Sequence, residues 1–131
     1  MGEELLTPTR LYPKIVLPLL DRFNIKGLVH MTGGGFQENI PRALPEDLQA
    51  AVETTAWEPP AIFGLLQKWG SVPSFEMYRT FNMGIGLVMI APELEAEQLI
   101  SALAQSGEMA AIIGRLESGP RKTLLKGLDH E

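Results

Sequence analysis

The sequence predicts an α+β fold, a mixed β-sheet with helices packed on it. Three observations point there. Residues 84–91, Gly-Ile-Gly-Leu-Val-Met-Ile-Ala, are apolar throughout, as expected of a central strand buried on both faces. Residues 93–105 carry Ala96, Leu99, Ile100 and Leu103 at i, i+3, i+4 and i+7, the spacing of an amphipathic helix. Residues 108–116 read as another strand, so 84–116 forms a βαβ-like unit. Elsewhere helical and strand patterns alternate irregularly, which fits an α+β arrangement better than a regularly wound parallel sheet.

Taken in order, residues 11–23 form the first helix, with Ile15, Val16, Leu19, Leu20 and Phe23 on one apolar stripe. Pro13 is tolerated in its first turn. Pro18 removes an interior hydrogen bond and is expected to kink the helix near Lys14. Asn24 and Gly27 close this element, and 26–31 is a strand. Residues 36–40 can make about one helical turn before Pro41 disfavours continuation. Residues 48–55 could be helix or strand; the β-branched Val52, Thr54 and Thr55 favour strand. Pro59-Pro60 opens a helix bearing Ile62, Leu65, Leu66 and Trp69, with Gly70 as its C′ residue. Ser74 is the expected N-cap of a short helix through Thr80. Residues 122–125 give a last edge strand.

Length and composition bound the function. A chain of 131 residues suits one domain, large enough to bury about two-thirds of its unfolded surface. The net charge of −5, with no dense Lys/Arg cluster, argues against nonspecific nucleic-acid binding. The absence of cysteine removes disulfides, thiolate catalysis and cysteine zinc sites, and fits a cytoplasmic location. The acidic start and the lack of any apolar run near 18 residues give no sign of a signal peptide or a membrane span.

The chemistry concentrates in two stretches. The first is His30-Met31-Thr32-Gly33-Gly34-Gly35-Phe36-Gln37-Glu38-Asn39-Ile40-Pro41-Arg42. Three consecutive glycines after a strand carry a large conformational cost, accepted where the backbone needs positive φ or close approach. Their amides, with the following helix N-terminus, could cradle a phosphate or an anionic intermediate; a plain strand-to-helix turn is the competing reading. Thr32 could add a hydroxyl, Asn39 a donor and an acceptor, and Arg42 a charged fork. The bland roles are a cap for Asn39 and a surface ion pair for Arg42. Glu38 reads better as a helix-dipole partner than as a base. His30 is either a hydrogen-bonded structural histidine or a substrate contact, and His130 sits in a polar, solvated tail. Neither histidine has the partner spacing of a metal site.

The second stretch is Arg79-Thr80-Phe81-Asn82-Met83-Gly84-Ile85-Gly86. Gly84 and Gly86 weaken a strand unless another backbone or a ligand comes close. Asn82 could hydrogen-bond a substrate amide; Phe81 and Met83 read as core. No Ser-His-Asp set, acid pair or metal-ligand cluster can be assembled.

These two stretches, with Leu6-Thr7-Pro8-Thr9-Arg10-Leu11-Tyr12 before them and Ile112-Ile113-Gly114 after, occur in an order that resembles aminoimidazole ribonucleotide synthetase, also called phosphoribosylformylglycinamidine cyclo-ligase. The resemblance runs from about Leu5 to about Gly119, nearly the whole chain, but covers only the carboxy-terminal half of that enzyme. It implies a role in purine biosynthesis: ATP phosphorylates the amide oxygen of formylglycinamidine ribonucleotide, an internal nitrogen attacks, and phosphate leaves as the ring closes. It further implies a homodimer, with ATP and magnesium held mainly by an amino-terminal half that these residues do not contain. His30, Thr32, Gly33, Gly34, Gly35, Asn39, Arg42, Asn82 and Gly84 become the candidate substrate- and phosphate-binding residues, with catalytic residues unassigned. The chain by itself is then expected to be inactive. It is also expected to expose an apolar patch near Phe36, Ile85 and Leu87, where it would meet the other half or a dimer mate. That the phosphate turn and the Asn82 stretch meet in space is implied by the resemblance alone. Two other readings stay open: a free-standing phosphate- or nucleotide-binding regulatory module, and a related ATP-using enzyme such as selenophosphate synthetase or thiamine-phosphate kinase. The joint presence of both stretches argues against the latter.

Overall fold

The computed structural model describes residues 2–128, so the expectation for His130 lies outside the described residues. The chain opens with one exposed helical turn, α1 (Gly2–Leu5), which the sequence pattern did not indicate. It continues through α2 (Pro13–Leu20), β1 (Gly27–His30), α3 (Gly35–Asn39), a 3-10 turn (Ile40–Ala43) and β2 (Leu48–Glu53). Then follow α4 (Ala61–Gly70), α5 (Ser74–Thr80), β3 (Leu87–Ile90), α6 (Glu93–Gln105), β4 (Gly114–Ser118) and β5 (Thr123–Lys126). Among the described residues, no helix is long and apolar enough to cross a membrane.

The strands form two sheets. β1 pairs antiparallel with β3, Gly27 lying opposite Ile90 and His30 opposite Leu87. β2 is the centre of a three-stranded mixed sheet, antiparallel to β4 and parallel to β5. The α+β class holds, and α6 spans residues 93–105 as the periodicity predicts. The strand–helix–strand order of 84–116 is also present, but β3 and β4 belong to different sheets, so it is not a crossover within one sheet.

The expected central strand at 84–91 is shorter and more marginal than its hydrophobicity suggested. β3 comprises four residues, all only partly buried, with β1 as its one partner among the described residues. The reason is local: Met83 and Gly84 take φ of 50° and 90°, so the chain turns there and regular pairing starts only at Leu87. β4 likewise starts at Gly114, with 108–113 outside the ladder.

Helix ends differ in detail from the sequence expectation. Pro18 is accommodated inside α2, where it leaves the Lys14 carbonyl without its usual amide donor. Gly70 is the last residue of α4, and Ser71 supplies the left-handed cap at φ 49°. Ser74 is the first helical residue of α5 rather than its cap; its Oγ accepts from Gln67 Nε2 at 3.0 Å and ties α5 to α4. Pro60, Pro73 and Pro92 instead occupy the N-cap positions of α4, α5 and α6, each with ψ near 140° (141°, 145° and 140°). An extended residue that lacks an amide enters a helix there without forfeiting a donor.

The β1–β3 ribbon separates two cores. Alternation along the strands sends Val29, Val88 and Ile90 to a core containing Phe36, Ile40, Met77, Tyr78 and Met83. Met89 faces the other, where Leu19 of α2 meets Leu99, Ala102 and Leu103 of α6. Phe36 and Met77 are completely buried, and Phe36 stacks on Trp57 at 5.6 Å and 21°. The apolar patch expected near Phe36, Ile85 and Leu87 is present only in part: Phe36 is core, because its ring fills the space between α3, Trp57 and Tyr78, whereas the half-buried Ile85 and Leu87 line an apolar cavity beside β3 together with Met109 and Ile112. Exposed large apolar residues include Leu6, Leu11 and Leu94, and Met109 on that cavity.

Tyr78 links this core to pH. Burial raises its phenol above the ordinary value of 10.0, partly offset by a hydrogen bond with the Thr54 side chain. A group with a raised folded pKa keeps its full stabilising contribution below the unfolded value and loses it as pH climbs through the folded one. Melting temperature should therefore fall as pH rises above 10, and Tyr78→Phe should flatten that fall. Identical pH profiles for the two proteins in thermal melts would contradict this assignment.

Candidate functional site

The glycine turn carries the chain from the end of β1 at His30 into α3 at Gly35. Gly34 sits at φ 92° and Gly35 at φ 51°, left-handed values that a side chain makes costly. Gly35 has a second reason to be glycine. A Cβ there would run into the Tyr78 carbonyl oxygen and lie 2.9 Å from the Arg79 carbonyl. The start of α3 is thus pressed directly onto the last turn of α5. Gly33 differs: its φ is not positive, and nothing lies within 4 Å of the place a Cβ would take.

Asn39 holds the turn from inside. It is 4% exposed, and its Nδ2 donates to the carbonyls of Thr32, Gly33 and Gly35 at 3.1, 3.3 and 2.8 Å. Its Oδ1 accepts a long 3.4 Å hydrogen bond from Thr32 Oγ1. Gly35 N–H donates to the Thr32 carbonyl at 3.2 Å, so this amide is committed within the turn, while those of Gly33 and Gly34 have no internal acceptor among the described residues. Thr123 Oγ1 donates to the Phe36 carbonyl at 2.9 Å, anchoring α3 to β5.

The second stretch is also a turn. Gly84 N–H donates to Asn82 Oδ1 at 3.0 Å, Ile85 N–H to the Asn82 carbonyl at 2.9 Å, and Trp57 Nε1–H to the Met83 carbonyl at 2.9 Å. Asn82 is thereby oriented with its Nδ2 hydrogens free of internal partners among the described residues. The two glycines of this stretch each meet a neighbour: a Cβ on Gly84 would collide with the Pro60 ring, and one on Gly86 with the Tyr12 phenol.

Between the two turns lies a cleft of about 660 Å³. His30, Thr32 and Gly33 line it from one side, Thr80, Phe81 and Asn82 from another, and Thr7, Thr9, Arg10 and Tyr12 close it. Of the candidate residues, His30, Thr32, Gly33 and Asn82 therefore share one space. Gly34, Gly35 and Asn39 shape the turn without lining the cleft. Arg42 lies outside it, paired with Glu38 at 3.7 Å in solvent and donating a long 3.5 Å hydrogen bond to Asn39 Oδ1, and Gly84 borders a different cavity. That cavity, about 330 Å³, lies beside β3 and the 108–113 segment and is mostly apolar.

Chemically the cleft offers hydroxyls, one amide, an imidazole and a guanidinium, with no carboxylate among the described lining residues. Pro8, Met31, Phe63 and Phe81 make much of the surface apolar, and the donors among them suit an oxygen-rich anion. Arg10 is partly neutralised by Glu108 at 2.9 Å. Sequence reasoning missed Thr7, Thr9, Arg10, Tyr12 and Thr80 as lining residues. The available signal was the density of hydroxyls and one cation in Thr7-Pro8-Thr9-Arg10. Among the described residues no three His, Asp or Glu side chains converge to hold a metal ion.

Residues 1–126 match the family described as AIR synthase related protein, C-terminal domain, and the chain belongs to that family. It is 49% identical over 126 residues to a phosphoribosylformylglycinamidine cyclo-ligase of Caldicellulosiruptor bescii, a match covering 96% of this chain and 37% of that protein. It is 46% identical over 129 residues to the enzyme of the same name from Brevibacillus brevis, covering 98% of this chain and 37% of the relative. For that of Carboxydothermus hydrogenoformans the identity is 47% over 125 residues, covering 95% and 36%. The chain thus spans little more than a third of the length of these curated relatives.

The glycines separate by task. Gly35→Ala should cost about 3 kcal/mol or more, because it combines a left-handed φ with a backbone collision. Gly33→Ala, with open space and no positive φ, should change stability by less than about 1 kcal/mol. Urea denaturation of both variants measures this; equal destabilisation would contradict the packing role given to Gly35.

Proposed function

We propose that this chain is the carboxy-terminal domain of a phosphoribosylformylglycinamidine cyclo-ligase, and that the cleft between the glycine turn and the Asn82 turn is one wall of its site for formylglycinamidine ribonucleotide. The observation that supports this best is the placement of His30, Thr32, Gly33 and Asn82, from two stretches distant in sequence, around one space. On this reading the whole enzyme closes the imidazole ring of aminoimidazole ribonucleotide at the expense of ATP, in purine biosynthesis in the cytoplasm.

The chain's own residues bind and orient. The Gly33 amide donates to phosphate oxygens, and the Thr32 hydroxyl joins it by exchanging its long 3.4 Å bond to Asn39 Oδ1. The Asn82 amide donates to a carbonyl-type oxygen of the formylglycinamidine portion, and His30 supplies a further donor beside them. Holding the flexible acyclic chain in a curled conformation brings its nitrogen near the carbon it must attack. Gly34, Gly35 and Asn39 act indirectly, by fixing the turn, and Arg42 and Gly84 support the two turns from outside the cleft. The donor set here does not fit magnesium, so no step is assigned to a metal on this chain. ATP and its magnesium belong, on this reading, to the amino-terminal half carried by the longer relatives, and the partners are that half and a second copy in a homodimer.

In a cyclo-ligase carrying this chain as its carboxy-terminal part, Asn82→Ala and Thr32→Val should each raise the KM for the ribonucleotide about tenfold, the loss of one charge-assisted or buried hydrogen bond. The KM for ATP should stay within about twofold. Steady-state kinetics with each substrate varied in turn distinguishes the two. Unchanged ribonucleotide KM in both variants, or equal effects on ATP, would overturn the assignment.

A further inference from the structure

We propose that Tyr12 is a positioning residue of this cleft: its ring supports the His30 imidazole, and its phenol end is seated over Gly86, which turns the irregular strap 7–12 into a fixed wall. The proposal rests on the reading of the cleft as the ribonucleotide site.

Three observations carry it. The Tyr12 and His30 rings meet edge to face, with centroids 5.9 Å apart and planes at 67°. The His30 side chain is otherwise exposed and has no hydrogen-bond partner among the described residues, so this aromatic contact is what restricts its rotamer. Second, the phenol oxygen of Tyr12 occupies the position where a Cβ on residue 86 would be, so glycine is required there for the ring to sit as it does. Gly86 is itself held at the end of β1, since the N–H of Met31, the residue after that strand, donates to its carbonyl at 3.0 Å. Third, the strap is tethered two residues earlier by Arg10, whose guanidinium lies 2.9 Å from a Glu108 carboxylate that is only 14% exposed.

Tyr12 is thus fixed by the residue before the β3 strand and passes that order to the last residue of β1. An imidazole held in one orientation can donate to a ligand oxygen without first losing rotamer freedom, which favours a reactive pose over a merely bound one. Removing the ring should loosen His30 while leaving the glycine turn intact, because the turn is held by Asn39 rather than by the strap.

The test uses two readouts. In the histidine-labelled chain, with His30→Gln assigning the resonance, the ring protons of His30 should carry a ring-current displacement that Tyr12→Leu and Gly86→Ala abolish and Tyr12→Phe retains. In the cyclo-ligase carrying this chain, kcat/KM for the ribonucleotide should fall about tenfold to a hundredfold in Tyr12→Leu, and Tyr12→Phe should recover most of that loss. Melting curves confirm that the variants compared are folded; if Gly86→Ala does not fold, Tyr12→Leu decides alone. If His30→Gln lowers turnover while Tyr12→Leu leaves the His30 resonances or turnover unchanged, the positioning role is overturned and the cleft reading stands. If His30→Gln has no effect on turnover, the assignment of His30 to the ribonucleotide site fails, and the role of Tyr12 fails with it.

Discussion

The close approach of Gly35 to the carbonyls of Tyr78 and Arg79 is the contact on which the arrangement of the site depends. A methyl group at residue 35 would separate α3 from α5, and the two turns that follow β1 and α5 would move apart. Because α5 runs straight into Phe81-Asn82, its last turn determines where the second stretch begins. The glycine run is therefore first a packing device, and it makes a cleft because of what the packing brings near. Gly34 and Gly35 give the backbone its path, while Gly33 faces the open space.

Polar groups complete what the glycines permit. Asn39 satisfies three carbonyls of the turn from within the protein, and Thr123 ties the same helix to β5. A turn held by its own buried amide keeps its shape without a ligand, and on the proposed reading that lowers the ordering cost of binding. Trp57 does the same for the second turn through the Met83 carbonyl, while stacking on Phe36 beneath the first. One aromatic side chain thus touches both halves of the site. The loss of a ring as buried as Phe36 typically costs about 3–5 kcal/mol, so the core and the cleft are coupled through it.

Much of this was legible in the sequence, and the failures have physical causes. The helix at 93–105 was legible because its apolar residues repeat at helical spacing and Pro92 marks its start. The strand at 48–53 was legible from Val52 and its neighbours, but not its place at the centre of a mixed sheet, since register depends on partners distant in sequence. The apolar run at 84–91 misled: hydrophobicity cannot show that Met83 and Gly84 turn left-handed and delay pairing to Leu87. The glycines at 84 and 86 did signal close neighbours, without revealing that these are Pro60 and Tyr12. Arg42 shows the limit of residue type as a guide. Its fork suits phosphate, yet the 3-10 turn directs it to Glu38 and Asn39 instead of the cleft. The meeting of the two stretches rested on resemblance in the sequence, and needed the Gly35 contact to become a physical statement.

The central claim is that one ligand engages both stretches at once. The most direct measurement is a titration of the isotopically labelled chain with formylglycinamidine ribonucleotide, following the Thr32 and Gly33 backbone amides and the Asn82 side-chain amide together. The account predicts that all three signals move along one isotherm with a common Kd. Movement in only one stretch, separate isotherms for the two, or no movement in either would contradict it.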